Sequence, residues 1–179
     1  CLQLHLQNAP IDDMFAAKEG GQWKTYGTRE TAKVVDELSA GLLSLGIGPN
    51  DMTVEGRDKV AILCKNRPEW VMLDLAVQQI GALLIPIYPT VNVNDLEFIL
   101  KDARVKIVFV NDEDTFHKVV SIGDRVRSVK EIFTFEHVAN ARHWKEVTKQ
   151  ATPALIEQIK PISDRIGHED VATIIYTSG

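Results

Sequence analysis

Cysteine is nearly absent from this chain of 179 residues: Cys1 stands at the start and Cys64 inside an apolar stretch. Two thiols so placed form neither a disulfide framework nor a metal-binding spacing, and they suit a reducing, cytoplasmic setting. Positive charge is not in excess either. With 20 Lys+Arg against 25 Asp+Glu and a net charge of -5, the chain lacks the basic face that counterion release from nucleic acid requires. No nucleic-acid partner is expected. No window reaches the apolar length of a membrane span, and the start CLQLHLQNAP lacks the charged region and long apolar run of a secretory leader. Repeats and low-complexity tracts are missing, and so is an initiator Met, which leads us to expect a start upstream of Cys1.

Several site signatures are also missing. The five histidines, His5, His117, His137, His143 and His168, show neither H-E-x-x-H nor an i,i+4 pair, so zinc has no support. Ser178 is not in a G-x-S-x-G elbow, which argues against a serine hydrolase. Gly46-Ile47-Gly48 looks like the start of a dinucleotide fingerprint, but it follows a helical pattern instead of a strand and is better explained as a helix stop and turn. Lys118, Arg125, Arg127 and Lys130 form a basic cluster too sparse to separate a phosphate or anionic membrane contact from a solvated face.

What the chain does have is 45% hydrophobic residues, enough for one sizeable core, in an alternation of helical and strand patterns. Residues 28–45 carry Val35, Leu38, Leu42 and Leu45 at helical spacing, with Thr28 as N-cap and Gly46 as the stop. Residues 59–64 (KVAILC) read as a strand covered on both faces. Pro68 opens a helix whose buried stripe is Trp70, Leu73, Val77 and Ile80. In the strand over 83–88, Pro86 removes a ladder donor, which places that strand at an edge or a bulge. Capping-box spacing at 94–97 predicts a helix over about 95–103, with Val93 and Phe98 as its staple. Strand 106–110, a helix near 115–121, a strand around 129–135 and short helices near Trp144 and Leu155 follow. Such alternation implies parallel β-α-β units: an α/β fold with a doubly wound, mainly parallel sheet flanked by helices. We expect one partial α/β domain over 1–179, with residues 1–22 as an N-terminal arm.

The last ten residues, DVATIIYTSG, read as a buried strand (Val171, Thr173, Ile174, Ile175) that delivers Tyr176, Thr177, Ser178 and Gly179. Ligands of doubly wound sheets lie beyond the carboxyl ends of the strands, where this tetrapeptide is expected to fall. Consecutive loop N–H groups and the two hydroxyls would hold phosphate oxygens, with Gly179 permitting close backbone approach. The alternative is an ordinary strand-to-turn connection.

Taken together, Trp23 with Thr25-Tyr26, GLLSLGIGPND, VAILCKNRPEW, QIGALLIPIYPT, KIVFV and DVATIIYTSG resemble the N-terminal part of the adenylate-forming superfamily, specifically its long-chain acyl-CoA synthetases. YTSG matches the opening of that superfamily's phosphate loop, YTSGTTGxPKG. The resemblance implies an AMP-forming acyl-CoA synthetase (ligase) that uses ATP, Mg2+ and CoA on a fatty acid. It implies nucleotide binding by Tyr176, Thr177, Ser178 and Gly179, with the Thr177 hydroxyl also reaching Mg2+. No catalytic residue is carried over within the chain. The remainder of the loop and the mobile C-terminal part would lie beyond Gly179, so the chain alone is expected to be inactive. A fatty substrate makes peripheral membrane contact reasonable for an otherwise cytoplasmic protein. Two other readings stay open: an AMP-forming ligase for another carboxylate, and a non-catalytic α/β binding module.

Overall fold

The structure, a computed structural model, describes residues 2–177. Its centre is a five-stranded sheet in the order β4-β3-β5-β6-β7, comprising β3 (Lys59–Leu63), β4 (Leu83–Ile87), β5 (Ile107–Val110), β6 (Glu131–Thr134) and β7 (Arg142–His143). Every pairing in this sheet is parallel. The helices are α1 (Leu2–Asn8), α2 (Thr28–Ser44), α3 (Pro68–Gln79), α4 (Val93–Asp102), α5 (Glu113–Val120), α6 (Lys145–Thr148) and α7 (Pro153–Ser163).

Strand side chains alternate between the two faces, and this splits the core in two. Val60, Ile62, Leu84, Ile107 and Phe109 face a layer that includes Val35, Leu38 and Leu42 of α2 and Leu73, Ala76 and Val77 of α3. Ala61, Leu63, Ile85, Val108 and Val110 face the opposite layer, with Leu96 and Leu100 of α4 and Val119 of α5. All of these side chains are buried, and each Val, Leu, Ile or Phe among them contributes about 1.5–3 kcal/mol. Burial on both faces explains why β3, β4 and β5 are nearly continuous apolar runs instead of alternating patterns. The doubly wound architecture is thus as expected, and β4, the strand carrying Pro86, is at the edge of the sheet.

Local details differ from the sequence expectations for identifiable reasons. Thr28 does not cap α2. The cap is Gly27, and Thr28 is the first helical residue, because its hydroxyl accepts the Ile11 N–H at 3.0 Å. The stop is as expected, with Gly46 at φ +75°. At α4 the cap is Asn92 rather than Asn94; its side chain accepts the Asp95 N–H at 2.9 Å, which starts the helix at Val93. The α3 stripe is rotated, so Met72, Leu73, Ala76, Val77 and Ile80 are buried and Trp70 is only half-buried. α7 is a full helix of 11 residues.

Residues 1–22, anticipated as an arm, contain α1 and most of a hairpin. β1 (Phe15–Glu19) pairs antiparallel with β2 (Gln22–Tyr26) through Gly20-Gly21, both at positive φ (+57° and +84°). A two-residue connection of this kind needs positive φ at both positions, which glycine supplies without strain. The EGGQ turn was the available sequence signal.

Candidate functional site

In a doubly wound sheet the ligand crevice lies at the carboxyl ends of two adjacent strands whose following helices go to opposite faces. Here those strands are β3, which leads to α3, and β5, which leads to α5. A cleft of about 520 Å³ occupies that position, lined by Lys65, Asn66, Arg67, Glu69, Asn111 and Glu136 and roofed by β1.

Its polar groups are mutually braced. Arg67 donates from Nε and Nη2 to the two Glu69 carboxylate oxygens at 2.9 and 3.2 Å, while its guanidinium sits 4.9 Å from the Phe135 ring centroid. Burial works against the charge on Arg67, but the Glu69 carboxylate outweighs it and raises the arginine pKa. Asn111 is buried and donates to Asp112 at 2.9 Å and to Glu136 at 3.2 Å. Asp112 in turn caps α5, its carboxylate accepting the Thr115 N–H while its own N–H donates to the Thr115 hydroxyl. Cys64, just below, is buried and its thiol is pushed up to about 12 by desolvation, so it stays protonated at neutral pH. Sequence reasoning missed this cleft, although a charged, amide-bearing Lys65-Asn66-Arg67 directly after a buried strand was the signal.

The terminal segment lies elsewhere. The expected buried strand over 171–175 is instead a single parallel bridge, Leu84 to Thr173, on the outer edge of β4. The Leu84 carbonyl accepts both the Ile174 N–H (3.1 Å) and the Thr173 hydroxyl (2.8 Å). The next residue directed to that edge is Pro86, which has no N–H to continue the ladder. Val171 and Ile175 consequently remain 37% and 61% exposed.

Tyr176 is half-buried against α4. It donates its hydroxyl to Asp102 Oδ2 at 2.5 Å and meets Phe98 edge-on, with ring centroids 6.3 Å apart. Burial, followed by the Asp102 carboxylate, pushes its phenol up to about 12. With Ile174 it lines a second pocket, of about 350 Å³, alongside Val54, Glu55, Lys59 and Arg104. Lys59 is the first residue of β3, so this pocket is at the amino ends of the strands rather than the carboxyl ends. Lys59 is buried, donates to the Glu55 carbonyl at 2.7 Å, and has its pKa lowered by desolvation.

Of the expected site residues, Thr177 is exposed, whereas Ser178 and Gly179 lie outside the described residues. Tyr176 and Thr177 therefore do not line the crevice at the carboxyl ends of β3 and β5.

A parallel doubly wound sheet with an open crevice at its switch point defines a ligand-binding α/β domain, and the pattern of the AMP-binding enzymes matches residues 3–179. The chain belongs to the AMP-binding enzyme family. It is 25% identical to the long-chain-fatty-acid–CoA ligase FadD15 of Mycobacterium bovis over 89% of this chain and 25% of that protein. It is 31% identical to long chain acyl-CoA synthetase 4 of Arabidopsis thaliana over 88% of this chain and 23% of that protein. The chain thus spans about a quarter of the length of these curated relatives. Among solved structures, the anthranilate CoA ligase AuaEII with anthranoyl-AMP superposes with a TM-score of 0.74 at 16% identity, over 99% of this chain and 31% of that one. The fatty acyl CoA synthetase of Mycobacterium tuberculosis gives a TM-score of 0.66 at 22% identity, over 87% of this chain and 28% of that one. These two likenesses concern the fold.

Proposed function

We propose that these residues are part of an AMP-forming long-chain fatty acid–CoA ligase. The observation that carries the reading is the match of residues 3–179 to the AMP-binding enzymes, joined to relatives named as long-chain acyl-CoA ligases. In the first step a fatty-acid carboxylate oxygen attacks the α-phosphorus of ATP and the bond to pyrophosphate breaks, giving acyl-adenylate and pyrophosphate. In the second step the CoA thiol, losing its proton, attacks the acyl carbon, the bond to AMP breaks, and the thioester forms.

The first step concentrates negative charge around phosphorus, so preorganised donors are what the site must supply. Thr177, with Ser178 and Gly179, serves that purpose through hydroxyl and N–H groups. Tyr176 anchors the base of the loop on α4 through Asp102. The exposed Thr177 hydroxyl is a hard oxygen of the kind Mg2+ takes beside nucleotide phosphates, and it fits such a role. Bound there, Mg2+ would neutralise phosphate charge. On this reading residues 1–179 alone are expected to be inactive, and the chain spans about a quarter of the length of these relatives.

Among the described residues no helix is long and apolar enough to cross a membrane. In the ligase reading the fatty substrate brings a cytoplasmic protein into peripheral membrane contact. Incubating the longer polypeptide with ATP, CoA and a panel of acetate, octanoate, palmitate, benzoate and amino acids tests the reading. Palmitoyl-CoA and AMP in equal amounts are expected. Thioester from another acid alone would retain the ligase and reject the fatty substrate, and absence of both steps would reject the ligase.

A further inference from the structure

Arg57 is 2% exposed, which is unusual for a guanidinium, and no carboxylate pairs with it among the described residues. The neighbouring Asp58 is already engaged, with Oδ1 on Lys106 at 2.5 Å and Oδ2 accepting the Gly48 N–H at 3.1 Å. Arg57 instead spends its fork on three backbone carbonyls. Nε donates to Gly81 O at 2.6 Å, Nη2 to Ala82 O at 3.3 Å, and Nη1 to Val171 O at 2.7 Å. Gly81 and Ala82 follow directly on the C-terminal end of α3, whose dipole favours a cation. Two arms of the fork are thereby fixed to the scaffold, and the third reaches across 114 positions of sequence to the terminal segment.

Among the described residues that segment has few other backbone hydrogen bonds to the sheet. Pro86 stops the β4 ladder after one bridge, leaving one acceptor, Leu84 O, for both Thr173 and Ile174. Further on, the Tyr176 hydroxyl is tied to Asp102, and the Ile174 and Tyr176 side chains pack against the core layer under α4. A planar guanidinium can bridge carbonyls of two separate segments at once, whereas an ammonium is a point charge without that span.

We propose that Arg57 is a positioning residue: by clamping the Val171 carbonyl to the chain leaving α3, it sets where residues 173–177 lie along β4 and so how Thr177 meets a nucleotide phosphate. The last part rests on the ligase reading above; the clamp itself does not.

The test uses the longer polypeptide with Arg57→Met and Arg57→Lys, reading amide hydrogen exchange and ATP-dependent pyrophosphate exchange. Losing charge-assisted bonds should speed exchange at the Ile174 amide by about tenfold or more. Amides of β3 and β5 should keep their protection, and the ATP KM should rise more than kcat falls. Arg57→Lys should lie between, and it carries the test alone if Arg57→Met does not fold. Unchanged exchange at Ile174, or exchange accelerated there and in β3 and β5 together, overturns the clamp. Faster exchange at Ile174 with an unmoved ATP KM keeps the clamp and overturns its reach to the nucleotide. If the unsubstituted protein shows no ATP-dependent exchange, the ligase reading falls and hydrogen exchange alone decides the clamp.

Discussion

Tyr176 donates its phenolic hydrogen to Asp102 at 2.5 Å, joining residues 74 positions apart and seating the end of the described chain on the last turn of α4. Because the phenol is pushed up to about 12, the stability it contributes is present in full below the unfolded tyrosine value near 10 and is lost as pH rises through about 12. Absorbance titration of tyrosinate should show a component near 12 that disappears in Tyr176→Phe. A component that survives the substitution would refute the assignment.

Gly41 lies inside α2, where alanine ordinarily gains about 1 kcal/mol over glycine. A Cβ there would stand 2.1 Å from the Val147 carbonyl oxygen, so α2 and the α6 turn could no longer approach as closely. Gly41→Ala should therefore lower the urea midpoint, with a net loss of about 1–3 kcal/mol for an overpacked contact. A raised midpoint would show that α6 yields freely.

Glu69 is buried and holds Nε and Nη2 of Arg67. Glu69→Ala leaves a half-buried guanidinium over Phe135 without its carboxylate and should cost about 1.5–3 kcal/mol in denaturant unfolding. Arg67→Met with Glu69→Leu together should recover part of that loss, since neither charge is then stranded.

The Cys64 thiol, buried and pushed up to about 12, should resist a maleimide in the native Cys1→Ser protein and react once the protein is unfolded in urea. Rapid native labelling would show that β3 opens at its carboxyl end.

Buried strands were the most legible part of the sequence. VAILC, LLIPI and IVFV are apolar because both faces are covered, and β3, β4 and β5 fall on them. The edge position of β4 was legible from Pro86 for a chemical reason, its missing N–H. Helix caps were harder: the Thr28 hydroxyl was taken by Ile11, a tertiary partner that no local pattern discloses. Residues 171–175 have the composition of a buried strand, yet the same Pro86 limits their pairing to one bridge and leaves them on the rim. The cleft at the ends of β3 and β5 depends on strand order, which brings Lys65 to Glu69 beside Asn111. Spacing along the chain does not reveal that order.

Palmitate-dependent exchange of labelled pyrophosphate into ATP, by the polypeptide that carries these residues, isolates the first half-reaction without CoA. The account predicts exchange that requires palmitate and ATP and is strongly reduced by Thr177→Ala. Folded protein that binds neither ATP nor palmitate and exchanges no label would contradict it.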